Sequence, residues 1–248
     1  MRGETLDSAE LTVRGVMGDR QWAIVDVESN TAVNGRYTQL LFWQPTTGPS
    51  LKFSLPDGRQ VEGDEALSEA LGRKVKLMSQ APEGLLVDFP AGTVGGKYAS
   101  ATALPLSQAA PAGTFFDLAA IHLIATSTIA DLQADLRRLR PNIVVDTGDA
   151  PAFLENAWAG KRIAIGDDVV LRGLIPCPRC VMTTRPQPGL PHDPEILKTI
   201  VKKNRVDLGD FGNLPCAGLY AEVLSGGAIR PGDEVRILDD LRVNIHQQ

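Results

Sequence analysis

Hydrophobic residues in this chain fall mostly in short runs, and over the first 90 residues the pattern predicts strands far more than helices. Gln21 to Val27 combines β-branched residues with Trp22 beside a charged turn. Leu51 to Leu55 alternates apolar with polar and stops at Pro56-Asp57-Gly58, a turn signal. Lys76 to Met78 and Leu85 to Val87 read as two further short strands. Glu65 to Leu71 predicts a short helix, with Asp64 placed to cap it.

From Ala91 to Thr114 the chain is rich in Ala, Gly, Ser, Thr and Pro, and a domain boundary is expected there. Ile121 to Ala125 is then an apolar strand. Thr126 or Ser127 is placed to cap one helix carrying Ile129, Leu132, Leu136 and Leu139 at helical spacing. That helix is expected to end in Arg137, Arg138 and Arg140 before Pro141, where positive charge suits a helix C-terminus and where Arg138 would be solvated. Short strands follow at Ile143 to Val145, Arg162 to Ile165, Val169 to Leu171, Leu174 to Ile175 and Glu234 to Ile237. Gly-Asp turns at 166–167 and 232–233 suggest a closed, strongly bent sheet. Pro194 to Asn204 reads as a helix with Asp193 at its N-cap. The organisation expected is a β-barrel-like unit over 1–90, a linker over 91–114, a second β-barrel unit with flanking helices over 115–238, and a fraying tail over 239–248. The fold class is α+β and β-rich.

Composition narrows the function. The 248 residues are 43% hydrophobic and 22% charged, ordinary for a soluble globular chain of one large or two modest domains. A net charge of −5 disfavours nonspecific nucleic-acid binding. The opening MRGETLDSAE has acids early and no apolar core, unlike a signal peptide. The longest charge-free run, Tyr98 to Phe116, is broken by Pro105 and Pro111, so no membrane segment is expected. Three cysteines are too few for a disulfide framework, and the reading is a cytoplasmic protein whose thiols stay reduced.

Those cysteines also supply the sharpest local feature, Pro176-Cys177-Pro178-Arg179-Cys180 at the end of an apolar strand. Four readings stand side by side. Cys177, Cys180, His192 and Cys216 could supply a zinc site, although a tight second pair is missing. The pair could be a thioredoxin-like dithiol, although Thr183-Thr184 and a Pro-rich stretch follow it. It could be two buried thiols, or a single thiolate that holds a redox metal cofactor. Leu139-Arg140-Pro141-Asn142 places a fixed Arg and an amide where a helix meets a strand, suited to a phosphate or polar heterocycle or simply to a solvated helix end. Arg14-Gly15-Val16-Met17-Gly18-Asp19-Arg20 is either an anion-approaching loop or an ordinary turn. His122 reads as a satisfied core residue, His192 as a solvated loop residue, and His246 carries no signal. No Ser/His/Asp spacing, carboxylate pair or Walker loop is visible, which leaves any hard chemistry to a cofactor.

Taken in order, GDRQW, LRPNIVVD, Trp158, IGDDV, CPRCVMTT and GLYAEVLSGGAIRPGDEV resemble the MOSC family, the C-terminal domain of molybdenum-cofactor sulfurase. The N-terminal part resembles the β-barrel domain that often precedes it. The resemblance implies a pterin-based molybdenum cofactor, with Cys180 as the metal-ligating thiolate. It puts Arg20, Arg140 and Asn142 at the cofactor's phosphate and pterin, and Thr126, Thr128, Thr183 and Thr184 along the pocket. The activity implied is two-electron removal of oxygen from small N-hydroxylated substrates, as in the amidoxime-reducing proteins and bacterial reductases of N-hydroxylated bases. Electrons would come from a separate ferredoxin-like protein or flavin reductase. Pyridoxal phosphate binding is a family-level expectation. A persulfide-bearing sulfur carrier at Cys180 is the alternative within the family, and a non-catalytic zinc module the alternative outside it. Family members also begin with a strand ending in a Pro-Val-Lys-Ser-like run, and Met1-Arg2-Gly3-Glu4 would lie just after it. With that first strand read as missing, Arg36 is the other basic residue that could complete the phosphate pocket.

Overall fold

The computed structural model describes residues 1–34, 37–46, 50–88, 96–101, 103–105 and 111–238. Arg36, parts of the 91–114 stretch and the tail from 239 onward lie outside them. The chain begins with a hairpin of β1 (Ala9–Thr12) and β2 (Gly15–Val16), followed by β3 (Ala23–Asp26) and β4 (Thr31–Ala32). Strands β5 (Gln44–Thr46), β6 (Lys52–Ser54) and β7 (Gln60–Glu62) make an antiparallel meander that leads into α1 (Gly63–Leu71). Strands β8 (Val75–Met78), β9 (Leu86–Asp88) and β10 (Ala103–Pro105) complete a sheet ordered β10-β9-β4-β3-β8. Phe53, Leu67, Ile24, Trp43 and Val75 pack one apolar core here. Helix α1 starts earlier than the sequence pattern suggests, and Asp64 does not cap it. Its carboxylate instead accepts the Leu77 backbone N–H at 2.8 Å and so ties α1 to β8.

The C-terminal half is built on β11 (Ile121–Ala125), α2 (Thr126–Leu132), α3 (Leu136–Leu139), β12 (Ile143–Val145), β13 (Arg162–Ile165) and β14 (Val169–Pro178). It continues with α4 (Glu195–Lys203), β15 (Arg205–Asp207), β16 (Asn213–Ser225), β17 (Gly227–Ile229) and β18 (Val235–Leu238). The main sheet runs β12-β11-β16-β14-β13-β18 and is antiparallel except for the β11–β12 crossover, with β15 added to β16. The fold is mixed α+β: a curled half-barrel sheet with flanking helices. The curl comes from three register shifts between β14 and β16. At one of them a Cβ on Gly173 would stand 2.3 Å from the Trp158 carbonyl oxygen, so only glycine fits that bend.

Three features depart from the sequence pattern. The two strands expected over 169–175 are one strand that continues through Pro176, Cys177 and Pro178, because the register shifts absorb the donors the prolines lack. The single helix expected over 126–139 is two. Gln133 turns left-handed (φ 49) and closes α2, and Asp135 then caps α3 by accepting the Arg137 N–H at 2.9 Å. Neither Thr126 nor Ser127 is the N-cap; that position is Ala125, and Leu136 faces solvent. Arg138, expected in solvent, is 3% exposed, and its guanidinium donates to the carbonyls of Thr183, Arg185 and Pro191.

The halves are joined by sheet pairing and core packing: β1 pairs with β17, and Leu11 packs with Phe116, Ile121, Leu171 and Leu219 in the C-terminal core. Among the described residues no helix is long and apolar enough to cross a membrane.

Candidate functional site

The Cys180 loop is shaped by its own threonines. After β14 the chain enters a 3-10 turn, Val181–Thr184, with Cys180 at its N-cap position. Thr183 donates to the Cys180 carbonyl through both N–H (3.2 Å) and Oγ1 (3.1 Å), and Thr184 Oγ1 donates to the Val181 carbonyl at 2.8 Å. Both threonines are buried, and their hydroxyls are spent on the turn that leaves Cys180 exposed. The protein around Cys180 still strips enough water to push its thiol up, against the backbone N–H of Met182 and the charge of Arg179.

Arg140 and Asn142 come from the α3–β12 turn. Arg140 is the left-handed C-cap of α3 (φ 57), and its N–H donates to the Leu136 carbonyl at 2.7 Å. Its Nη1 donates to the Met1 carbonyl at 3.1 Å. Asn142 pairs with β11 through its backbone N–H to the His122 carbonyl (2.7 Å) and through Oδ1, which accepts the His122 N–H (3.0 Å). Its Nδ2 donates to Asp19 at 2.9 Å. Arg20 arrives from the β2–β3 loop, also in the left-handed region (φ 49), 3.6 Å from the Asp117 carboxylate and over the Phe116 ring.

Arg179 lies among these groups. Its Nη1 donates to Cys177 Sγ at 3.0 Å, its Nη2 to the Leu139 carbonyl at 2.6 Å, and its buried Nε has no partner. The three arginines crowd one another. Burial lowers the Arg140 pKa, and repulsion from Arg20 and then Arg179 adds to that, with Asp117 and Asp19 opposing. Arg20 and Arg179 are instead held above the usual arginine range, burial being outweighed by Asp117 and Asp19 at Arg20 and by Cys177 and Tyr220 at Arg179, so all three side chains stay charged donors of the kind that suits an anion.

Beneath lies Cys177, fully buried. Burial alone would raise its thiol, but the charges of His122 and Arg179 and hydrogen bonds from His122 and Tyr220 outweigh it and bring the pKa down to about 6. The His122 ring is 6% exposed, with Nδ1 and Nε2 each 3.3 Å from a backbone carbonyl, of Arg140 and Ala217. His122 is thus the satisfied core histidine that the sequence suggests, but it also touches the site's own turn.

The structure therefore brings Arg20, Arg140, Asn142 and Cys180 to one locale and leaves two of the threonines elsewhere. Thr126 is half-buried and bonds the Asp146–Thr147 loop. Thr128 is fully buried, donates to Glu155 at 2.8 Å and accepts the Phe153 N–H at 2.6 Å, so its hydroxyl faces no open space. Sequence reasoning gave no site role to Asp117, Tyr220 or Glu155. Glu155 is a buried carboxylate, held up by desolvation, that also accepts the Gly218 N–H at 3.1 Å. A cavity of about 370 Å³ opens beside Arg20, lined by Asp19, Trp22, Arg14 and Met17 among others. Among the described residues no three of His, Cys, Asp and Glu are grouped to hold a metal by themselves, so the zinc set of Cys177, Cys180, His192 and Cys216 is not assembled.

The MOSC domain family model matches residues 112–236. Mitochondrial amidoxime reducing component 2 of Rattus norvegicus is 34% identical over 134 residues, which take in 50% of this chain and 38% of that protein. Mitochondrial amidoxime-reducing component 1 of Homo sapiens is 29% identical over the same coverage. This chain spans about two fifths of the length of these curated relatives. Among solved structures, YiiM from Geobacillus stearothermophilus is 15% identical with TM-score 0.33, covering 80% of this chain and 72% of that one. The YUAD protein from Bacillus subtilis is 20% identical with TM-score 0.35, covering 60% and 82%. The expectation of a cytoplasmic protein is corrected here: all six matched curated relatives are named mitochondrial. Three cysteines without a disulfide do not identify a compartment.

Proposed function

This chain belongs to the MOSC domain family, and we propose that it is a reductase of small N-hydroxylated substrates that works with a pterin-based molybdenum cofactor. The observation that carries the reading is the convergence of Arg20, Arg140 and Arg179 beside the exposed Cys180 thiol, with Arg179 Nε buried and unpartnered. The donor set suits such a group. A soft thiolate matches a high-valent metal whose other ligands the cofactor brings itself, and guanidinium forks match a phosphate.

Cys180 is assigned as the protein's ligand to the metal. Arg20 and Arg140 neutralise the phosphate, and Asn142 orients it or the pterin. Asp19 and Asp117 balance the cations while no anion is bound. Thr183 and Thr184 act by fixing the turn that presents Cys180, Thr126 sits at the head of α2, and Thr128 supports the site from behind through Glu155. When bound, the group supplies a two-electron couple and the centre that takes oxygen from the N–OH. No side chain is assigned as acid or base. Electrons come from a separate donor, ferredoxin-like or flavin-dependent. The division at 91–114 is kept as part of this proposal, with the N-terminal unit delivering Arg20.

The test is metal analysis of protein purified from a host that makes the cofactor. Molybdenum near one per chain, lost in Cys180→Ser and retained in Cys177→Ser, is expected, because an alcohol is a harder and far less acidic ligand than a thiol. A cyanide-labile sulfur on Cys180 without molybdenum would replace the reductase by the sulfur carrier. Equal loss from both substitutions would end the single-ligand assignment.

A further inference from the structure

The turn that aims Arg140 and Asn142 is held at three positions by groups packed against it. The Leu139 carbonyl accepts from Arg179 Nη2 at 2.6 Å. The Arg140 carbonyl faces His122 Nδ1 at 3.3 Å. Asn142 exchanges two hydrogen bonds with the His122 backbone. Such holding is needed, because Arg140 stands in the left-handed region that non-glycine residues enter only when their surroundings compel it.

Cys177 lies where these supports meet. It is 0% exposed, lies next to last in β14, and takes Arg179 Nη1 on its sulfur at 3.0 Å. Arg179 has one buried donor unsatisfied already, so its orientation rests on two bonds, one to Cys177 and one to Leu139. Removing the sulfur would leave the guanidinium with a second unpaired donor and its orientation resting on the Leu139 carbonyl alone. His122 is seated by an equally tight constraint: a Cβ on Gly218 would stand 2.2 Å from its Nε2.

We infer that Cys177 is a positioning residue for the anion site: its sulfur fixes Arg179 beneath the Leu139–Asn142 turn, and through Arg179 and the neighbouring His122 it sets where Arg140 and Asn142 point. The first cysteine of the CPRC run is on this account an acceptor that works from behind, neither a metal ligand nor an inert core thiol. The drop of its pKa to about 6 accords with this role, since a thiolate is the stronger acceptor for a guanidinium. The inference rests on the reading of the site as an anion cradle, and it makes no use of the metal.

Two substitutions separate an acceptor role from a packing role, because they predict opposite orders. Cys177→Val fills the space but accepts nothing. Cys177→Ser accepts but leaves the space less well filled. The probe is inorganic phosphate titrated into metal-free protein by calorimetry or NMR, with a melting curve for each variant. Affinity is expected to fall about tenfold or more in Cys177→Val, about 1.4 kcal/mol, and to recover to within about threefold of the parent in Cys177→Ser. Cys177→Ala takes the place of Val if Val does not fold, with the same expected loss. Full phosphate affinity in the folded Val or Ala variant overturns the inference, and so does a parent protein that binds no phosphate. Phosphate binding that follows the predicted order in a protein that takes up no molybdenum would uphold this inference and reject the reductase reading alone.

Discussion

Asn142 donates from Nδ2 to the Asp19 carboxylate at 2.9 Å, joining positions 123 residues apart. The GDR loop and the LRPN turn, which the sequence offers as separate motifs, are thereby one surface. The same side chain accepts the His122 N–H through Oδ1, so its amide is oriented by both partners.

Reversing that bond tests it. Asn142→Asp keeps the acceptor for His122 but sets two carboxylates against each other, and the fold should lose about 1–3 kcal/mol at neutral pH in urea unfolding. Adding Asp19→Asn restores a donor–acceptor pair in the opposite sense and should recover most of the loss. If the double variant is no more stable than Asn142→Asp, the two residues are not coupled.

Arg138 and Arg140 are neighbours in sequence with different predicted phenotypes. Arg140→Ala should weaken retention of an anionic ligand by about 1.5–3 kcal/mol, the worth of one charge-assisted contact, with a smaller effect on melting. Arg138→Ala deprives three buried-loop carbonyls of their donor and should cost stability first, on the order of 3 kcal/mol. Similar melting temperatures for the parent and Arg138→Ala would contradict that assignment.

The contrast shows what the sequence carried. Ile121 to Ala125, Ile143 to Val145 and Arg162 to Ile165 are readable to the residue, because β-branched and apolar residues dominate each run, with only His122 and the opening Arg162 breaking the pattern. The helix break at Gln133 was hidden. Leu136 continues the 3.6-residue pattern, while the break is made by a left-handed residue and an Asp cap that local periodicity does not register. Arg138 was misread for the same reason: a basic helix end looks solvated until the 183–191 loop folds over it. Arg20, Arg140, Asn142 and Cys180, which motif order singles out, lie together in the fold, whereas Asp117 and Tyr220 join them only through tertiary packing. Thr128 carried the right residue type, yet its hydroxyl is taken by Glu155, which no spacing rule connects to it.

Gly218 gives a direct test of the His122 seat. It sits in β16 at φ +86, where an added Cβ would meet His122 Nε2 at 2.2 Å and the Leu123 carbonyl oxygen at 2.8 Å. Gly218→Ala should therefore destabilise by about 3 kcal/mol through strain and overpacking together. A change within about 0.5 kcal/mol, the range of ordinary surface substitutions, would mean that His122 has room to move and does not hold the turn.

The Cys177 thiol falls from 9.0 to about 6 on folding, so between those values the unfolded chain holds a proton that the folded protein does not. Stability then rises with pH across this window: the contribution is absent below about 6 and complete above 9. Cys216 moves the other way, from 9.0 to about 12, so above 9 it makes stability fall. The informative quantity is the difference between the parent and Cys177→Ser, since a serine hydroxyl does not titrate in this range and the other groups cancel. Urea unfolding at closely spaced pH values under reductant should show the parent gaining on the variant from about pH 6 to 9. Parallel curves would mean that Cys177 stays a neutral thiol beside Arg179, and the Raman S–H stretch at neutral pH would show the same thing directly.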